Sequence, residues 1–261
     1  MTPQASSTGG DLLVESLLSH GIRVVFGLPG VQLDAAFDAL ARRSDQVRVI
    51  QARNEQATSY MADGYARSSG ELGCCLVVPG PGVLNAATGL ATAYACSSQV
   101  LCLAGQVRSD RIDAGLGLLH EIPHQDAALR SVVKWTGRAT RPEAVPGVVH
   151  EAVRQMRSGR PRPAAVEIPP DVLEAKVSAS DVPAFDDVSR SRPDASGLEQ
   201  MAAHLHRAER PLLVAGGGVL QAGAWAELES LADRIGAPVL LSNNGKGALS
   251  ARHPLAFGSL N

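Results

Sequence analysis

At 261 residues, 45% of them hydrophobic and 19% charged, the chain is long enough for one large domain or two ordinary ones and apolar enough to build a core. A net charge of −2 leaves no electrostatic footprint for nucleic acid or an anionic membrane, and no apolar run approaches the roughly 20 residues of a membrane span. The start, MTPQASSTGG, has neither a basic n-region nor an apolar h-region, so a cytoplasmic location is expected rather than a secretory one.

Leu12, Leu13, Leu17 and Leu18 fall at helical spacing and predict a helix over 11–20 that Gly21 stops. A short strand at 22–26 leads into Gly27-Leu28-Pro29-Gly30 and a helix with Leu33, Phe37 and Leu40 on one face. Glycine at such a strand-to-helix turn lets backbone approach whatever lies above the sheet, because it has no Cβ; a tight turn with no ligand reads equally well. The strand at 47–50 breaks at Arg53-Asn54 and runs on as a helix with Ala57, Tyr60, Met61, Gly64 and Tyr65 on one broad face. Glu55 stands at that junction. It reads either as a helix-terminal carboxylate favoured by the macrodipole or as a site carboxylate at the end of a strand.

Residues 72–78 are nearly uniform in hydrophobicity, as a strand buried on both faces of a parallel sheet would be. Pro79-Gly80-Pro81-Gly82 fixes a rigid turn before a helix over 83–97 rich in Ala, Gly and Thr, with Asn85 in its first turn as a cap or a ligand contact. A strand at 100–104 follows. Cys74, Cys75, Cys96 and Cys102 lie in these apolar segments without zinc-like spacing, which fits buried, reduced thiols.

The segment 108–125 is long for a loop in a compact domain and holds His120, Glu121, His124 and Gln125, a pattern typical of functional loops. Two histidines four apart suggest a metal pair only on a helix, and Pro123 between them argues against one. His120 reads as a polar substrate contact or as an ordinary surface histidine. A helix over 142–157 and a proline-bracketed strand at 164–168 complete the unit, which the alternation of strands and helices assigns to the α/β class: a doubly wound, mostly parallel sheet with helices on both faces. From 176 to 197 the composition turns to Ser, Asp, Pro and Arg, a linker. The beginning of a second α/β domain follows, with a helix at 198–207, a strand at 211–215, Gly216-Gly217-Gly218, a helix at 225–235 and a strand at 238–241, two strands in all. The triplet does not satisfy G-x-G-x-x-G, since Gln221 stands where the third glycine would be.

Taken in order, GIRVVFGLPG, RNEQATSYMADGYAR, VVPGPGVLNAATGLATAY, AGQV and SGRPRPAAVEIPPDV resemble the N-terminal part of the acetolactate synthase-like family of thiamine diphosphate enzymes, and RPLLVAGGGV with GAPVLLSNNGKGALSARHPLAFGSL resembles the start of that family's middle domain. The resemblance implies a pyrimidine-binding domain over 1–178, a linker over 179–197 and an incomplete middle domain over 198–261. It implies a carboligase or decarboxylase of 2-oxoacids in which Glu55 hydrogen-bonds N1′ of the cofactor's aminopyrimidine and so favours the tautomer that removes the thiazolium C2 proton. Pro29, Gly30, Pro81, Gly82 and Asn85 match positions that line the cofactor. His120 and Gln125 become candidate substrate contacts. Leu119-His120 departs from the aromatic-Gln pair of the family's synthases, which leaves the substrate open.

Arg160 matches an arginine that touches FAD in flavin-containing members, and Gly216, Gly217 and Gly218 would lie near the same flavin; many members lack it. The resemblance places magnesium and the diphosphate on a C-terminal domain with a Gly-Asp-Gly segment, absent from these residues, so no metal ligand is expected here and the chain alone is expected to be catalytically incomplete. It further implies a homodimer or tetramer with the active site between subunits. The alternative is a non-catalytic chain that keeps the fold for subunit association or regulation.

Overall fold

The computed structural model describes residues 7–177, 181–184 and 193–260, and the chain divides into two compact units, 1–190 and 191–261. Much of the expected linker lies outside the described residues.

The first unit opens with β1 (Ser7–Thr8) and α1 (Gly9–Ser19). Thr8 starts this helix with a reciprocal cap, its hydroxyl accepting from the Asp11 N–H while the Asp11 carboxylate accepts from the Thr8 N–H. Gly21, at φ +78°, turns the chain out of it. β2 (Val24–Gly27), α2 (Asp34–Arg42), β3 (Arg48–Gln51), α3 (Glu55–Ser69), β4 (Gly73–Val77), α4 (Pro81–Cys96) and β5 (Val100–Gly105) then alternate. They are followed by α5 (Gln125–Arg130), β6 (Trp135–Arg138), α6 (Val145–Arg157), β7 (Ala164–Ile168), α7 (Pro170–Glu174) and β8 (Lys176–Val177), the last paired antiparallel with β1.

Six strands form one sheet in the order β3-β2-β4-β5-β7-β6, and every pairing in it is parallel. Alternate strand residues feed two cores. Val25, Cys74, Leu76, Leu101, Leu103 and Val166 meet α1, α2 and α6 on one face. Phe26, Cys75, Val77, Cys102 and Ala165 meet α3, α4 and α5 on the other. At about 1.5–3 kcal/mol for each large apolar side chain withdrawn from water, two such cores dominate the stability of the unit. The fold is therefore α/β with a parallel sheet covered on both faces. Three of the four cysteines are buried as expected, whereas Cys96, at the end of α4, is half-buried.

Several expectations need correction. The face of α3 that turns inward is Glu55, Thr58, Ser59, Ala62 and Asp63, while Ala57, Tyr60 and Gly64 are exposed. The reason is close approach of backbones. A Cβ at Gly89 of α4 would overlap Ser59, and one at Gly73 of β4 would overlap the Ala62 carbonyl. Small residues thus set the approach of the helices, while Met61 and Tyr65 of the expected face are half-buried and pack against the core, Tyr65 edge-on to Phe26. The loop over 108–125 is followed by α5 and then β6, an edge strand that its half-buried residues do not announce.

In the second unit, α8 (Ala195–Arg207) begins three residues before the expected point because Asp194 caps it, accepting from the Ser196 and Gly197 N–H groups. β9 (Leu213–Ala215), α9 (Gly217–Ala222), α10 (Trp225–Ile235), β10 (Val239–Leu241) and β11 (Ala256–Ser259) follow. The sheet has three parallel strands, β11-β10-β9, not two. Its core is Ala215, Ala232, Val239, Leu241, Ala248 and Leu249.

Candidate active site

The sheet of the first unit changes direction at β2. The chain steps from β2 outward to β3, then returns across β2 to β4 on its other side. In open parallel sheets the crevice at such a reversal, at the carboxyl ends of the strands, is where ligands are held. The turns after β2, β3 and β4 carry Pro29 and Gly30, Glu55, and Pro81 and Gly82 respectively.

Contacts bring these turns together. The Leu28 N–H donates to the Leu76 carbonyl at 3.3 Å. Val78, buried beyond the end of β4, lies between the two glycines: a Cβ at Gly30 would overlap its Cγ1, and a Cβ at Gly82 would come within 2.7 Å of its Cγ2 and 3.5 Å of Glu55 Cγ and Oε1. Glycine is required at both places because the space is already filled.

Glu55 is the first residue of α3, with Asn54 before it as the cap, accepting from the Gln56 N–H at 2.8 Å. The Glu55 side chain is therefore not needed to close the helix. It is only 9% exposed. Asn85, one turn into α4, donates its amide N–H to Glu55 Oε2 at 3.0 Å. Oε1, on the Gly82 side, has no hydrogen-bond partner among the described residues. A buried carboxylate with one oxygen held and the other unengaged is ready to accept one further donor. Gly82 leaves no side chain beside Oε1.

The loop over 108–125 closes on the same turn. His120, at φ +66°, directs its backbone carbonyl at Gly80, so that a Cβ on Gly80 would overlap it. His120 Nδ1 lies 3.0 Å from Gln32 Oε1, and Gln32 Nε2 donates to the Leu119 carbonyl at 3.1 Å. Since that Gln32 atom only accepts, Nδ1 carries the proton, and in the neutral ring Nε2 is the acceptor. Glu121 turns away and accepts the N–H groups of Gly115, Leu116 and Leu118, which hold its carboxyl below the usual range. His120 and His124 do not share a helix, because α5 starts at Gln125. Among the described residues no group of three or more His, Cys, Asp or Glu is placed to hold a metal ion.

Gln125, expected as a substrate contact, is 1% exposed, and both ends of its amide are bound within the chain. Arg160 is exposed and donates from Nε to Ser97 Oγ at 2.8 Å. In the second unit Gly217 opens α9, where a Cβ would stand 3.0 Å from the Asn244 carbonyl, while Gly218 faces open space and Gly216 has only Ser242 Oγ nearby. Sequence reasoning missed Gln32, Val78, Gln106, Arg138 and Glu167. Only Glu167 left a signal, as a lone charge in the apolar strand AAVEI.

Residues 7–129 match the family model described as the thiamine pyrophosphate enzyme N-terminal TPP binding domain, and residues 198–261 match the central domain of the same enzymes. The chain belongs to the thiamine pyrophosphate enzyme family. It is 38% identical over 260 residues to a probable 2-ketoarginine decarboxylase of Pseudomonas aeruginosa, covering 99% of this chain and 46% of that protein. It is 36% identical over 256 residues to a probable acetolactate synthase large subunit of Methanocaldococcus jannaschii, covering 96% and 42%. An acetolactate synthase of Arthrospira platensis shares 37% over 258 residues, covering 96% and 44%. The chain thus spans less than half the length of each of these three relatives. No helix among its described residues is long and apolar enough to cross a membrane.

Proposed function

We propose that residues 1–178 form the aminopyrimidine side of a thiamine diphosphate site in an enzyme that decarboxylates or ligates 2-oxoacids, with 179–197 a linker and 198–261 part of a middle domain. The observation that carries the reading is the buried Glu55 carboxylate, held at one oxygen by Asn85 and open at the other beside Gly82. Thiamine diphosphate, when bound, supplies an electron sink for the loss of carbon dioxide from a 2-oxoacid. Glu55 would share a proton with N1′ of the aminopyrimidine through Oε1, the oxygen that Asn85 leaves open. Asn85 keeps Oε2 occupied, so the carboxylate addresses the ring with a single oxygen. Pro29, Gly30, Pro81 and Gly82 give the ring a surface of backbone and proline, and the apolar surroundings set by Val78 strengthen the carboxylate–ring hydrogen bond.

His120, with Nε2 as an acceptor, stands on the loop above and is assigned to the substrate. Leu119 and His120 are also where the chain departs from the synthase pattern, so the proposal stops at the 2-oxoacid class. The relatives are about twice as long as this chain, and magnesium and the diphosphate are assigned to the part of such an enzyme that it does not span. Tyr60, Leu84 and Leu119 are exposed apolar side chains on the elements that form the site, which supports covering by a second subunit of a dimer or tetramer. The free thiols support a cytoplasmic location. FAD stays outside the reading.

The test is Glu55→Gln in the holoenzyme. Exchange of the cofactor's C2 proton and consumption of 2-oxoacids should both fall by about a hundredfold or more, with thermal unfolding little changed. Consumption and exchange at the parent rate would overturn the assignment.

A further inference from the structure

Below the turn that carries Gly80 and Gly82 lies a polar network that the proposed chemistry does not use. Gln125 Oε1 accepts the Gly80 N–H at 2.7 Å. Gln125 Nε2 donates to the Gly105 carbonyl at the end of β5, at 2.9 Å, and to Glu167 Oε1 on β7, at 2.8 Å. Glu167 Oε1 also accepts from Gln106 Nε2 at 3.0 Å, and Glu167 Oε2 accepts from Arg138 Nε and Nη2 at 2.9 and 2.8 Å. Gln106 in turn accepts the Val107 N–H at 2.8 Å. Gln125 and Glu167 are each 1% exposed.

The arrangement has one self-consistent orientation. A backbone N–H only donates, so the amide oxygen of Gln125 must face Gly80, and its NH2 must face two groups that only accept. The Gly80 turn itself needs holding. Its backbone, at φ +55° and ψ −110°, lies where few residues other than glycine go, and no side chain caps the start of α4. In place of a local cap, the turn is tied across the sheet to β5, to β7 and, through Arg138, to β6. Gly82 and Asn85 follow directly on that turn and set the surroundings of Glu55.

We propose that Gln125 is a positioning residue. By holding the Gly80 N–H from the buried Glu167–Arg138–Gln106 cluster, it fixes the turn that places Gly82 and Asn85 against Glu55, and so sets the geometry in which the aminopyrimidine is received. This replaces the direct substrate contact expected from sequence, and it rests on the thiamine diphosphate reading of Glu55. Buried polar clusters with every member satisfied rigidify their surroundings, whereas loss of one member leaves the others unpaired.

Two variants test it. Gln125→Leu keeps the approximate volume and leaves Gly80, Gly105 and Glu167 each short of one partner. Amide hydrogen exchange of the segment 79–84, measured without cofactor, should rise about tenfold, with that of the β5 segment 100–105 unchanged. In the holoenzyme, affinity for thiamine diphosphate and the C2-proton exchange rate should both fall about tenfold or more. Gln125→Glu sets two carboxyls at hydrogen-bond distance, which share one proton. When protonated, the introduced carboxyl donates to Glu167 and accepts from Gly80 as the amide does, and only the Gly105 carbonyl is left without its donor. Its cofactor affinity should therefore be depressed at about pH 8 and recover toward the parent value by about pH 5.5, relative to the parent measured at each pH.

Unchanged exchange over 79–84 in Gln125→Leu, or loss of affinity in Gln125→Glu at every pH, would overturn the positioning role. Normal cofactor affinity in Gln125→Leu, where Glu55→Gln abolishes C2-proton exchange, would also overturn it and leave the thiamine reading standing. Parent-rate C2-proton exchange in Glu55→Gln would instead overturn that reading, and the cofactor-free exchange arm would still decide whether Gln125 holds the turn.

Discussion

Substituting Gly82 by alanine adds one methyl group at the most crowded point of the site. The new Cβ would stand 2.7 Å from Val78 Cγ2, about 1 Å inside the ordinary carbon–carbon contact distance. Val78 has no easy way to yield. It is buried, its β-branch leaves χ1 stiff, and its other methyl already fills the space that a Cβ on Gly30 would take. Overpacking of this kind costs about 1–3 kcal/mol, offset by up to about 1 kcal/mol for replacing glycine by alanine in a helix. A net loss of about 1–2 kcal/mol is therefore expected from Gly82→Ala. Val78→Ala removes two buried methyls, worth about 1–3 kcal/mol by itself. In the double variant the added methyl enters the space the valine vacates, so its cost should fall short of the sum of the singles by at least about 1 kcal/mol. Urea unfolding of the parent, the two singles and the double closes the cycle. Additivity within about 0.5 kcal/mol would refute the wedge described for Val78.

Three further outcomes are expected. Gly80→Ala adds strain at φ +55° to overlap with the His120 carbonyl, a backbone atom that cannot rotate aside. It should destabilise by about 3 kcal/mol or more in urea, and a cost no larger than that of Gly82→Ala would contradict this ordering. Asn85→Ala removes a donor from Glu55 at an exposed residue, so stability should change by no more than about 1 kcal/mol while C2-proton exchange falls about tenfold; the reverse pattern would make Asn85 a packing residue. His20 is buried between Ser16 and His150, with Arg157 nearby, and burial holds its imidazole below the usual range. The unfolded chain takes up that proton more readily. The stability from keeping His20 neutral is therefore complete above about pH 6.5 and is lost as pH falls through the folded value. Urea midpoints of the parent should drop between about pH 7.5 and about pH 5, and His20→Gln should flatten that drop; equal slopes would remove His20 as its cause.

The order of strands and helices in the first unit was legible because parallel strands buried on both faces read as unbroken apolar runs, GCCLVV above all, and because Gly21, Gly27 and the Pro-Gly pairs punctuate them. Glu55 was legible for a related reason, as a carboxylate at a strand-to-helix junction. The inward face of α3 was not. Hydrophobicity points to Met61 and Tyr65, which do pack against the core, but also to Tyr60, which is exposed, because the distance between α3 and α4 is set by Gly89 against Ser59, a property of the pair that neither helix states alone. β6 was missed because its residues are half-buried at the sheet edge, and β11 because the pattern AFGS is too short to read. The network around Gln125 joins residues 42 positions apart, and Gln125 in sequence is one polar residue of a polar loop.

Glu55 and Glu167 are both buried in the same unit, and the difference between them separates chemistry from scaffold. Glu167 is saturated: Gln125 and Gln106 donate to one oxygen and Arg138 donates twice to the other. Such a carboxylate offers nothing to a ligand, and removing a partner from it exposes the cost of an uncompensated buried charge. Among the described residues Glu55 has one donor, Asn85, on one oxygen, and beside the other oxygen stands Gly82, where a Cβ would come within 3.5 Å of it. The fold thus supplies a full complement of partners to Glu167 and leaves one oxygen of Glu55 without one among the described residues, which is where the proposed function needs a proton to be shared. Because Gln125 links the saturated carboxylate to the turn that shapes the open one, the scaffold and the site are one mechanical unit. Damage to Glu167 should consequently register first in the Gly80 turn that Gln125 holds, and through it in the placement of Gly82 and Asn85 against Glu55.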